Sequence, residues 1–366
     1  MLIRSIRLAG FRNYTEAEIH PSDGVTVFTG NNAQGKTNIL EAVYLCCTGR
    51  SHRTTHDKEL IKNDHDFARV TVEADRADGM HDVEILLSRI SRRRIKVAGN
   101  TVSKSGEMLG HITGVLFSPE DLRMVKDGPA ERRRFVDMEL SQLRPAYYYA
   151  LQRYNRALKQ RGALLRELIN APAASDTLDM WDAELAQSGQ AIMTMRRDFI
   201  AKLSEQAGKT HEFVANGAEK MEVEYVPSVR AEESGEELRT RLEKELHRAR
   251  QTDIRRQITS VGPHRDDVKI LLNGLDARSF GSQGQVRTCA LSMKLSELEI
   301  MKKESGEAPV LMLDDVMSEL DPGRRRLLIR MLSGVQTLVT CTDIEDLAGA
   351  DAGKIIRVHQ ATLQEA

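Results

Sequence analysis

The segment from Gly30 to Thr37 restricts the possible folds of this chain more than any other feature. It reads Gly-Asn-Asn-Ala-Gln-Gly-Lys-Thr and fits the pattern Gly-x-x-x-x-Gly-Lys-Ser/Thr at every fixed position. The apolar run Val25–Phe28 precedes it, and Asn38–Cys47 follows it with apolar residues at helical spacing. A strand, a glycine-bounded loop and a helix in this order predict an α/β fold with a phosphate-binding loop, or P-loop.

The residue types of the P-loop suit the binding of a nucleoside triphosphate. Glycines let the backbone curve around an anion and direct its N–H groups inward, and the following helix presents its positive end. Lys36 reaches the β- and γ-phosphates and assists catalysis, and the Thr37 hydroxyl ligates Mg²⁺. We therefore expect ATP and Mg²⁺ as cofactors, with ATP bound by Gly30, Asn31, Asn32, Ala33, Gln34, Gly35, Lys36 and Thr37.

A second strand supplies the carboxylates that such a loop requires. Val310–Leu313 is an apolar run typical of a buried parallel strand, and Asp314 and Asp315 follow it. We expect Asp314 to hold Mg²⁺, directly or through water, and Asp315 to polarise the attacking water as the catalytic carboxylate. An apolar run that ends in two aspartates is weak evidence alone, but together with the P-loop it indicates a site of ATP hydrolysis.

Two further segments indicate the class of ATPase. The loop Gly281-Ser282-Gln283-Gly284-Gln285 leads into a helix predicted over Val286–Ile300, and Ser318-Glu319-Leu320-Asp321 follows the paired aspartates. Both resemble segments of ABC-type ATPases, whose signature loop reads Leu-Ser-Gly-Gly-Gln. Ser282, Gly284 and Gln285 match that loop, whereas Gly281 and Gln283 depart from it.

The resemblance to ABC-type ATPases implies that this loop acts in trans. A Ser hydroxyl and glycine backbone at a helix N-terminus bind phosphate. Ser282, Gln283, Gly284 and Gln285 would then contact the γ-phosphate of ATP held by a second subunit, so that two ATP molecules join two heads. Taken alone, such a loop is more often only a helix cap, and that alternative stays open.

The chain departs from the ABC pattern at three sites. Asp315 stands where the usual catalytic residue is Glu, and its shorter side chain fits slow turnover. After a strand predicted over Thr337–Thr340, Thr342 stands where a switch His is expected; Thr hydrogen-bonds a γ-phosphate but carries no charge. No Gln clearly matches the Q-loop, whose region corresponds to Phe117–Asp121.

The apolar period changes twice along the chain. Short antiparallel strands are predicted at Ala68–Ala74, Val83–Ser88 and Ile95–Val97, with a turn at Gly99-Asn100. From about Ala130 the period becomes helical, with a break at Ala171-Pro172-Ala173 and a further helix over Glu236–Arg256. Strand patterns return at Val268–Leu272, Val310–Leu313, Thr337–Thr340 and Lys354–Val358. We predict a split ATPase head over 1–129 and 257–366, and an inserted helical, partly coiled-coil-like domain over 130–256.

Over essentially its whole length the chain resembles the RecF family of bacterial recombination-mediator ATPases. The residues that carry this resemblance are Phe11–Tyr14, Gly30–Thr37, Gly49–Arg53, Phe117–Leu122, Arg132–Phe135, Gly262–Asp267 and the loop Gly281–Gln285. The resemblance implies an α/β head like that of ABC and SMC proteins, with mixed sheets and flanking helices. It also implies an ATP-dependent homodimer and slow, DNA-stimulated ATP hydrolysis.

The same resemblance implies partners and a biological role. The partners are duplex DNA, single-strand/double-strand junctions, RecO and RecR, and the role is to load RecA on gapped DNA coated with single-strand-binding protein. Single-stranded DNA binding, replication maintenance and the SOS response to DNA damage belong to this expectation. Two other functions stay open from the residues alone: the energy subunit of an ABC transporter and a small-molecule P-loop kinase.

The charge distribution bears on DNA binding, although the net charge does not. The chain has 53 basic and 54 acidic residues, but Ile85–Arg166 contains 17 Lys or Arg against 7 Asp or Glu. Such a bias predicts a basic surface for a polyanion, with solvated helix faces as an equal alternative. The candidate DNA contacts are Arg92, Arg93, Arg94, Arg132, Arg133 and Arg134, each of which is alternatively solvated or held in an ion pair.

Other features indicate a cytoplasmic protein without a membrane partner. No apolar run reaches the length of about 18 residues that spans a bilayer, and the N-terminus lacks a secretory apolar region. Cys46, Cys47, Cys289 and Cys341 have neither metal-ligand nor disulfide-framework spacing, which favours a reducing compartment. His264-Arg265-Asp266-Asp267 is interpreted as a hydrogen-bonded junction between a helix and a strand.

Overall fold

The computed structural model describes residues 1–169, 176–230, 235–347 and 351–365. By their internal contacts the residues form two units: the first comprises Met1–Leu122 and Ala290–Ala366, and the second comprises Arg123–Cys289. The helix break predicted at 171–173 lies outside the described residues. Within the described ranges, no helix is long and apolar enough to cross a membrane, and the four cysteines are buried without a disulfide.

The helices and strands are numbered in chain order. The strands are β1 (Leu2–Phe11), β2 (Tyr14–Ile19), β3 (Val25–Thr29), β4 (Phe67–Arg76), β5 (Gly79–Ser88), β6 (Arg94–Val97), β7 (Asn100–Val102), β8 (Gly114–Phe117), β9 (Met221–Val226), β10 (Asp267–Leu272), β11 (Leu275–Asp276), β12 (Val310–Asp314), β13 (Thr337–Cys341), β14 (Ala352–His359) and β15 (Thr362–Glu365). The α-helices are α1 (Lys36–Thr48), α2 (Leu122–Lys126), α3 (Pro129–Leu143), α4 (Pro145–Glu167), α5 (Asp179–Val214), α6 (Glu236–Arg256), α7 (Ala277–Phe280), α8 (Gln283–Ser305) and α9 (Pro322–Met331).

The first unit contains two six-stranded sheets. One is antiparallel with the order β2-β1-β4-β5-β6-β7, and the other has the order β15-β14-β3-β13-β12-β8. In the second sheet the five strands from β14 to β8 are parallel, and β15 pairs antiparallel at the edge. Every residue of β12 and β13 is buried, as expected of central parallel strands. One apolar core joins both sheets and α1.

The parallel sheet brings four predicted segments to one edge. The P-loop follows β3, the paired aspartates end β12, Thr342 follows β13, and the segment Ser118–Asp121 follows β8. Because these strands are parallel, their carboxyl ends lie at the same edge of the sheet, which is where open α/β sheets bind ligands. The fold therefore creates the environment of a nucleotide site at this edge.

The second unit combines α3 to α6 with the three-stranded sheet β11-β10-β9. Its longest helix, α5, has 36 residues and contacts α4, α6 and β9. A buried ion network ties three of these helices together: Arg161 of α4 is fully buried and pairs with Asp182 of α5 at 2.7 Å and with Asp253 of α6 at 2.8 Å. Breaking such a pair leaves an uncompensated buried charge.

The second unit extends beyond the predicted insertion of 130–256. The reason is β9, which the sequence analysis did not predict and which pairs antiparallel with β10 along six residue pairs. This pairing brings residues 257–289 into the compact unit that begins at Arg123. The signature loop therefore belongs to the same unit as the helices. The strands predicted at 68–74, 83–88, 95–97, 268–272, 310–313, 337–340 and 354–358 and the helix predicted at 236–256 are confirmed.

Candidate functional site

The P-loop joins β3 to α1 through two positions that require glycine. Gly30 has φ 149° and Gly35 has φ 115°, both in the region that side chains disfavour. A Cβ atom at Gly30 would lie 2.3 Å from the carbonyl oxygen of Val358, and one at Gly35 would lie 2.6 Å from Nδ2 of Asn13. A larger residue at Gly30 would therefore displace the backbone of Val358, and one at Gly35 would displace the side chain of Asn13.

Residues around the β1–β2 turn support the P-loop from one side. Asn13 Nδ2 donates to the Gln34 carbonyl at 3.1 Å, and the Tyr14 hydroxyl donates to the Gly35 carbonyl at 3.2 Å. Asn38 Nδ2 in turn donates to Asn13 Oδ1 at 2.8 Å, which ties the turn to α1. The turn at Asn13 and Tyr14 therefore holds the P-loop backbone against β1 and β2.

A buried ion pair holds the first turns of α1. Glu41 accepts two hydrogen bonds from Arg12, at 2.8 and 2.6 Å, and a third from the Ser51 hydroxyl at 2.5 Å. Burial would raise the pKa of Glu41, but the hydrogen bonds from Arg12 and Ser51 outweigh it and lower the pKa. Arg53 also contacts α1, donating to Asn38 Oδ1 at 3.0 Å. Through Ser51 and Arg53, the segment Gly49–Arg53 therefore helps to hold α1, the helix that follows the P-loop.

The Lys36 ammonium lies inside the curve of the P-loop. Its Nζ donates to the carbonyls of Gly30 at 2.6 Å and Asn31 at 2.9 Å. Burial lowers the pKa of Lys36, while the negative charges of Asp315 and Asp314 act in the opposite direction. The lysine is thus placed where the β- and γ-phosphates of a nucleotide would enter a loop of this type.

The structure joins the two predicted Mg²⁺ ligands. The Thr37 hydroxyl donates to Asp314 Oδ1 at 2.8 Å, although the two residues are 277 positions apart. Both groups offer oxygen, and Mg²⁺ is usually held by one or two carboxylates together with water and substrate phosphates. Their arrangement fits that ion. The described residues contain no group of three or more His, Cys, Asp or Glu side chains that would form a metal cage.

Asp314 has a second partner that the sequence analysis did not identify. The Thr340 hydroxyl donates to Asp314 Oδ1 at 2.7 Å and accepts from the backbone N–H of Asp315 at 2.9 Å. Burial raises the pKa of Asp314, the hydrogen bonds from Thr340 and Thr37 oppose this, and the charges of Glu120 and Asp315 add to it. Pairing the predicted strands 310–313 and 337–340 in register would have revealed Thr340, because Asp314 lies opposite it.

Asp315 is half-buried beside Asp314 and has φ 53°, in the left-handed region. Asp tolerates this conformation better than most residues, and such backbone geometry often occurs at functional sites. The Ser318 hydroxyl donates to the Asp315 carbonyl at 2.9 Å. Lys36, Thr37, Asp314 and Asp315 are therefore neighbours, as the motifs predict. Thr342 is exposed just after β13, and its role as the switch residue stays a prediction.

Glu120 is another acidic residue that the motifs did not single out. It is exposed after β8, next to β12 in the sheet, and its charge acts on Asp314. The neighbouring Asp121 accepts a hydrogen bond from the Ser118 N–H at 2.7 Å, and burial raises the pKa of Asp121 to about 6. The segment Ser118–Asp121 thus adds the negative charge of Glu120 to the surroundings of Asp314.

The signature loop is a hydrogen-bonded cap at the N-terminus of α8. The Ser282 N–H donates to Gln285 Oε1 at 2.8 Å, and the Gln285 N–H donates to Ser282 Oγ at 3.3 Å. This reciprocal pair is a capping box. Ser282 and Gln283 are exposed, so the same loop presents a hydroxyl and a helix N-terminus to solvent. The cap and a phosphate-binding role are thus compatible, and the latter stays a prediction.

The structure separates the candidate DNA-binding arginines into two groups. Arg132 is buried and donates twice to Asp267, at 2.8 and 3.0 Å, and once to the Asp127 carbonyl. Its prediction as a DNA contact is wrong, because its guanidinium is committed inside the second unit. Arg93 is bound to Asp57 at 2.9 and 3.0 Å, and Arg133 to the Asp266 carbonyl at 2.6 Å.

The remaining candidates, Arg92, Arg94 and Arg134, are exposed. The charge excess of the stretch 85–166 overstates its exposed charge, since Arg161 in the same stretch is fully buried. The junction at 264–267 is a hydrogen-bonded network, as interpreted: the His264 ring contacts the Tyr154 hydroxyl at 2.6 Å. Burial is the main cause that lowers the pKa of His264 to about 4.

Comparisons with known proteins agree with this geometry. The RecF/RecN/SMC N terminal domain family matches residues 2–364. The DNA replication and repair protein RecF of Acetivibrio thermocellus is 44% identical over 347 residues, 94% of each chain. RecF of Clostridium perfringens is 42% identical over 368 residues, 100% of each chain.

Solved structures show the same relationship. The recombination mediator protein RecF with ATP, of the RecFOR pathway, matches with a TM-score of 0.93 at 36% identity, over 100% of this chain and 97% of that chain. An Smc head domain from Pyrococcus furiosus matches with a TM-score of 0.58 at 16% identity, over 100% of this chain and 96% of that chain, and shares the fold alone. The predicted ATPase head fold, with mixed sheets and flanking helices, is confirmed.

Proposed function

Because the chain belongs to the RecF family of DNA replication and repair proteins, we propose that it is an ATP-dependent DNA-binding protein that dimerises around two ATP molecules. The observation that carries this proposal is the hydrogen bond of 2.8 Å between Thr37 and Asp314, beside Lys36. It unites the P-loop and the acidic strand at the carboxyl edge of one parallel sheet. The transporter and kinase alternatives find no support in this family.

The residues of the site have distinct tasks in hydrolysis. The N–H groups of the P-loop and the Lys36 ammonium would bind the phosphates of ATP, and Thr37 and Asp314 would hold Mg²⁺, whose charge would offset the negative charge of the phosphates. Asp315 orients the water that attacks the γ-phosphorus. The bond from the water oxygen to phosphorus forms as the bond to the ADP oxygen breaks, and the proton that the water loses passes through Asp315 to solvent. As Asp315 is one methylene shorter than Glu, its weaker hold on the water makes turnover slow.

The dimer is inferred from the signature loop. Ser282 is exposed, and Phe280, two residues earlier, has 70% of its surface exposed. An exposed hydroxyl at a helix N-terminus can contact a phosphate that another molecule holds. In the proposed dimer the Ser282–Gln285 loop of each copy contacts the γ-phosphate held by Lys36 of the other, so that ATP closes the dimer and hydrolysis reopens it.

The proposed partners are duplex DNA, single-strand/double-strand junctions and the proteins RecO and RecR. The ATP-bound relative is named for the RecFOR pathway, which supports RecO and RecR as partners in the cytoplasm. The proposed outcome is the loading of RecA on gapped DNA coated with single-strand-binding protein. Arg92, Arg94 and Arg134 are the exposed candidates for contacts to DNA phosphates.

The experiment that tests this function is sedimentation velocity with and without ATP and Mg²⁺. The wild-type chain should dimerise only with ATP. Ser282→Arg should abolish the dimer by blocking the phosphate contact while ATP still binds the isolated chain. Ser103→Arg, which introduces the same side chain at an exposed site in the other unit, should dimerise normally. Dimers of Ser282→Arg that equal the wild type would contradict the proposed arrangement.

A further inference from the structure

A chain of hydrogen bonds connects the signature loop to α5. Gln285 Nε2 donates to Glu219 Oε1 at 2.7 Å, and the other oxygen of Glu219 lies 3.2 Å from His211 Nε2. His211 is fully buried close to the C-terminal end of α5, and Glu219 lies two residues before β9. All of these residues belong to the second unit. The loop is therefore linked to the longest helix through two side chains.

Glu219 determines which way the Gln285 amide faces. A carboxylate only accepts hydrogen bonds, so the amide must direct its NH₂ group toward Glu219. The amide oxygen then faces the Ser282 N–H, which donates to it at 2.8 Å. With the opposite orientation the NH₂ group would meet another donor. The conformation of the signature loop thus depends on a residue 66 positions away from Gln285.

Glu219 is also held in place through the backbone. The next residue, Lys220, exchanges two hydrogen bonds with Asn273: its N–H donates to Asn273 Oδ1 at 2.9 Å, and its carbonyl accepts from the Asn273 N–H at 2.8 Å. Asn273 lies in the turn between β10 and β11, which leads to the signature loop through α7. Two routes, one through side chains and one through the sheet, therefore meet at Glu219.

A helix cap alone does not require these additional residues. Ser282 and Gln285 complete the capping box without Glu219 or His211. A buried histidine beside a carboxylate instead gives the cap a defined orientation and a connection to α5. Because α5 contacts α4, α6 and β9, a displacement of the helices would reach the loop through the contact between His211 and Glu219.

We propose that His211 and Glu219 are positioning residues that hold the signature loop in the conformation that engages ATP of a second copy. They couple the position of α5 to the closure of the dimer. The inference rests on the proposed function of the loop Ser282–Gln285 in trans. It adds a connection through which the position of α5 affects the conformation of that loop.

The test uses Glu219→Gln in the full-length chain. The added NH₂ group removes the constraint on the Gln285 amide while the size of the side chain is kept. The matched control is Glu224→Gln, the same change at an exposed position of β9. Without ATP, amide hydrogen exchange of a peptide spanning 279–289 should be faster in Glu219→Gln than in the wild type or the control.

With ATP, Glu219→Gln should raise the dissociation constant of the dimer by about tenfold, because a loop that is not held in advance must be ordered during association. The affinity of the isolated chain for ATP should change by less than about twofold, because the P-loop lies in the other unit. Raising the protein concentration should restore ATP turnover, which a damaged hydrolysis site would not allow.

A second variant guards against an effect on folding. The exchange Glu219→Gln with Gln285→Glu places the carboxylate on the loop, where it accepts from the Ser282 N–H and from the new amide. This double variant should restore slow hydrogen exchange, whereas Gln285→Glu alone opposes two carboxylates and should not. Fast exchange in the double variant would overturn the proposal.

The results separate the two levels of inference. If Glu219→Gln exchanges and dimerises like the wild type while Ser282→Arg does not dimerise, the positioning role is refuted and the ATP-closed dimer stands. If Ser282→Arg also dimerises normally, the proposed function itself fails. Faster exchange and weaker dimers in Glu219→Gln, with the control unchanged, support both.

Discussion

The substitution Thr340→Val tests how the acidic strand of the nucleotide site is stabilised. The two side chains are of similar shape and differ by the hydroxyl group. In the wild type this hydroxyl donates to Asp314 Oδ1 at 2.7 Å and accepts from the Asp315 N–H at 2.9 Å. Thr340 is fully buried. The substitution therefore removes a hydrogen-bond donor from the buried carboxylate of Asp314. It also removes the nearer of the two acceptors of the Asp315 N–H.

The expected loss of stability follows from these two contacts. A hydrogen bond to a charged acceptor contributes about 1.5–3 kcal/mol net, and an unsatisfied buried donor costs about 1–3 kcal/mol. The Asp315 N–H retains a longer contact of 3.3 Å to the Thr340 carbonyl, so the second cost falls at the low end. We expect a total loss of about 3 kcal/mol in the free energy of unfolding.

The loss should depend on pH in a defined direction. Burial raises the pKa of Asp314 above its ordinary value of 3.8, so the folded chain holds this proton more tightly than the unfolded chain. Stability from this group is complete below 3.8 and is lost as the pH rises through the raised pKa. Thr340→Val removes one of the hydrogen bonds that oppose the elevation, which raises the pKa further. The difference in stability between variant and wild type should therefore grow as the pH rises through the raised pKa of Asp314.

The measurement is urea unfolding at several pH values without nucleotide or Mg²⁺. The control is Thr337→Val on the same strand, where the hydroxyl is also buried but donates to the neutral carbonyl of Val335 at 3.0 Å. It should lose about 1 kcal/mol at every pH. If Thr340→Val loses no more than this control, or loses the same amount at all pH values, Thr340 does not stabilise the ionised form of Asp314.

Three further predictions concern other parts of the chain. Asp315→Asn should slow ATP hydrolysis by a factor of about 10²–10⁴ while ATP-closed dimers persist in sedimentation; hydrolysis at the wild-type rate would exclude Asp315 as the catalytic carboxylate. Arg161→Met should reduce the free energy of unfolding by about 3–5 kcal/mol, since it leaves Asp182 and Asp253 without their buried partner. Arg153→Met at the exposed pair with Glu184 should change it by less than about 1 kcal/mol in the same denaturation assay. Arg92→Ala and Arg94→Ala should each weaken duplex binding and reduce the salt slope by about one, and unchanged salt slopes in a binding titration would remove both from the DNA surface.

Local sequence patterns were sufficient for the motifs and for many of the elements. The glycines, lysine and threonine of the P-loop lie within eight consecutive positions, and their backbone requirements are local. The apolar run before Asp314 and the helical spacing over 236–256 likewise predict a buried strand and a helix from neighbouring residues alone. Both predictions match the structure because strand burial and helix periodicity are properties of short segments.

The extent of the second unit was harder to predict for a physical reason. β9 is only six residues long, and the alternation of buried and exposed residues covers its first four positions, Met221–Glu224. Its identity as a strand depends on pairing with β10, which lies more than forty positions later. The same pairing moves the signature loop into the helical unit. The alternation Met221-Glu222-Val223-Glu224 is a strand signal, but four residues of it are too short to predict a strand without the partner that stabilises it.

The arginines show how burial depends on distant residues. The sequence left Arg132 open between a DNA contact, a solvated side chain and an ion pair, and its guanidinium pairs with Asp267, 135 positions away. The same tripeptide contains the exposed Arg134. Consecutive arginines on a helix point in different directions, so that some face the interior and others face the solvent. The packing of α3 against β10 decides which of them is exposed.

The sequence alone predicted the P-loop at Gly30–Thr37 and the two aspartates at the end of β12, because their chemistry depends on residue type at fixed spacing. Tertiary structure decided that Thr340 supports Asp314, that Arg132 is buried, and that Glu219 orients Gln285. These three contacts join residues that are 26, 135 and 66 positions apart. Their existence depends on strand register and on the packing of separate elements, and no local pattern encodes either of these.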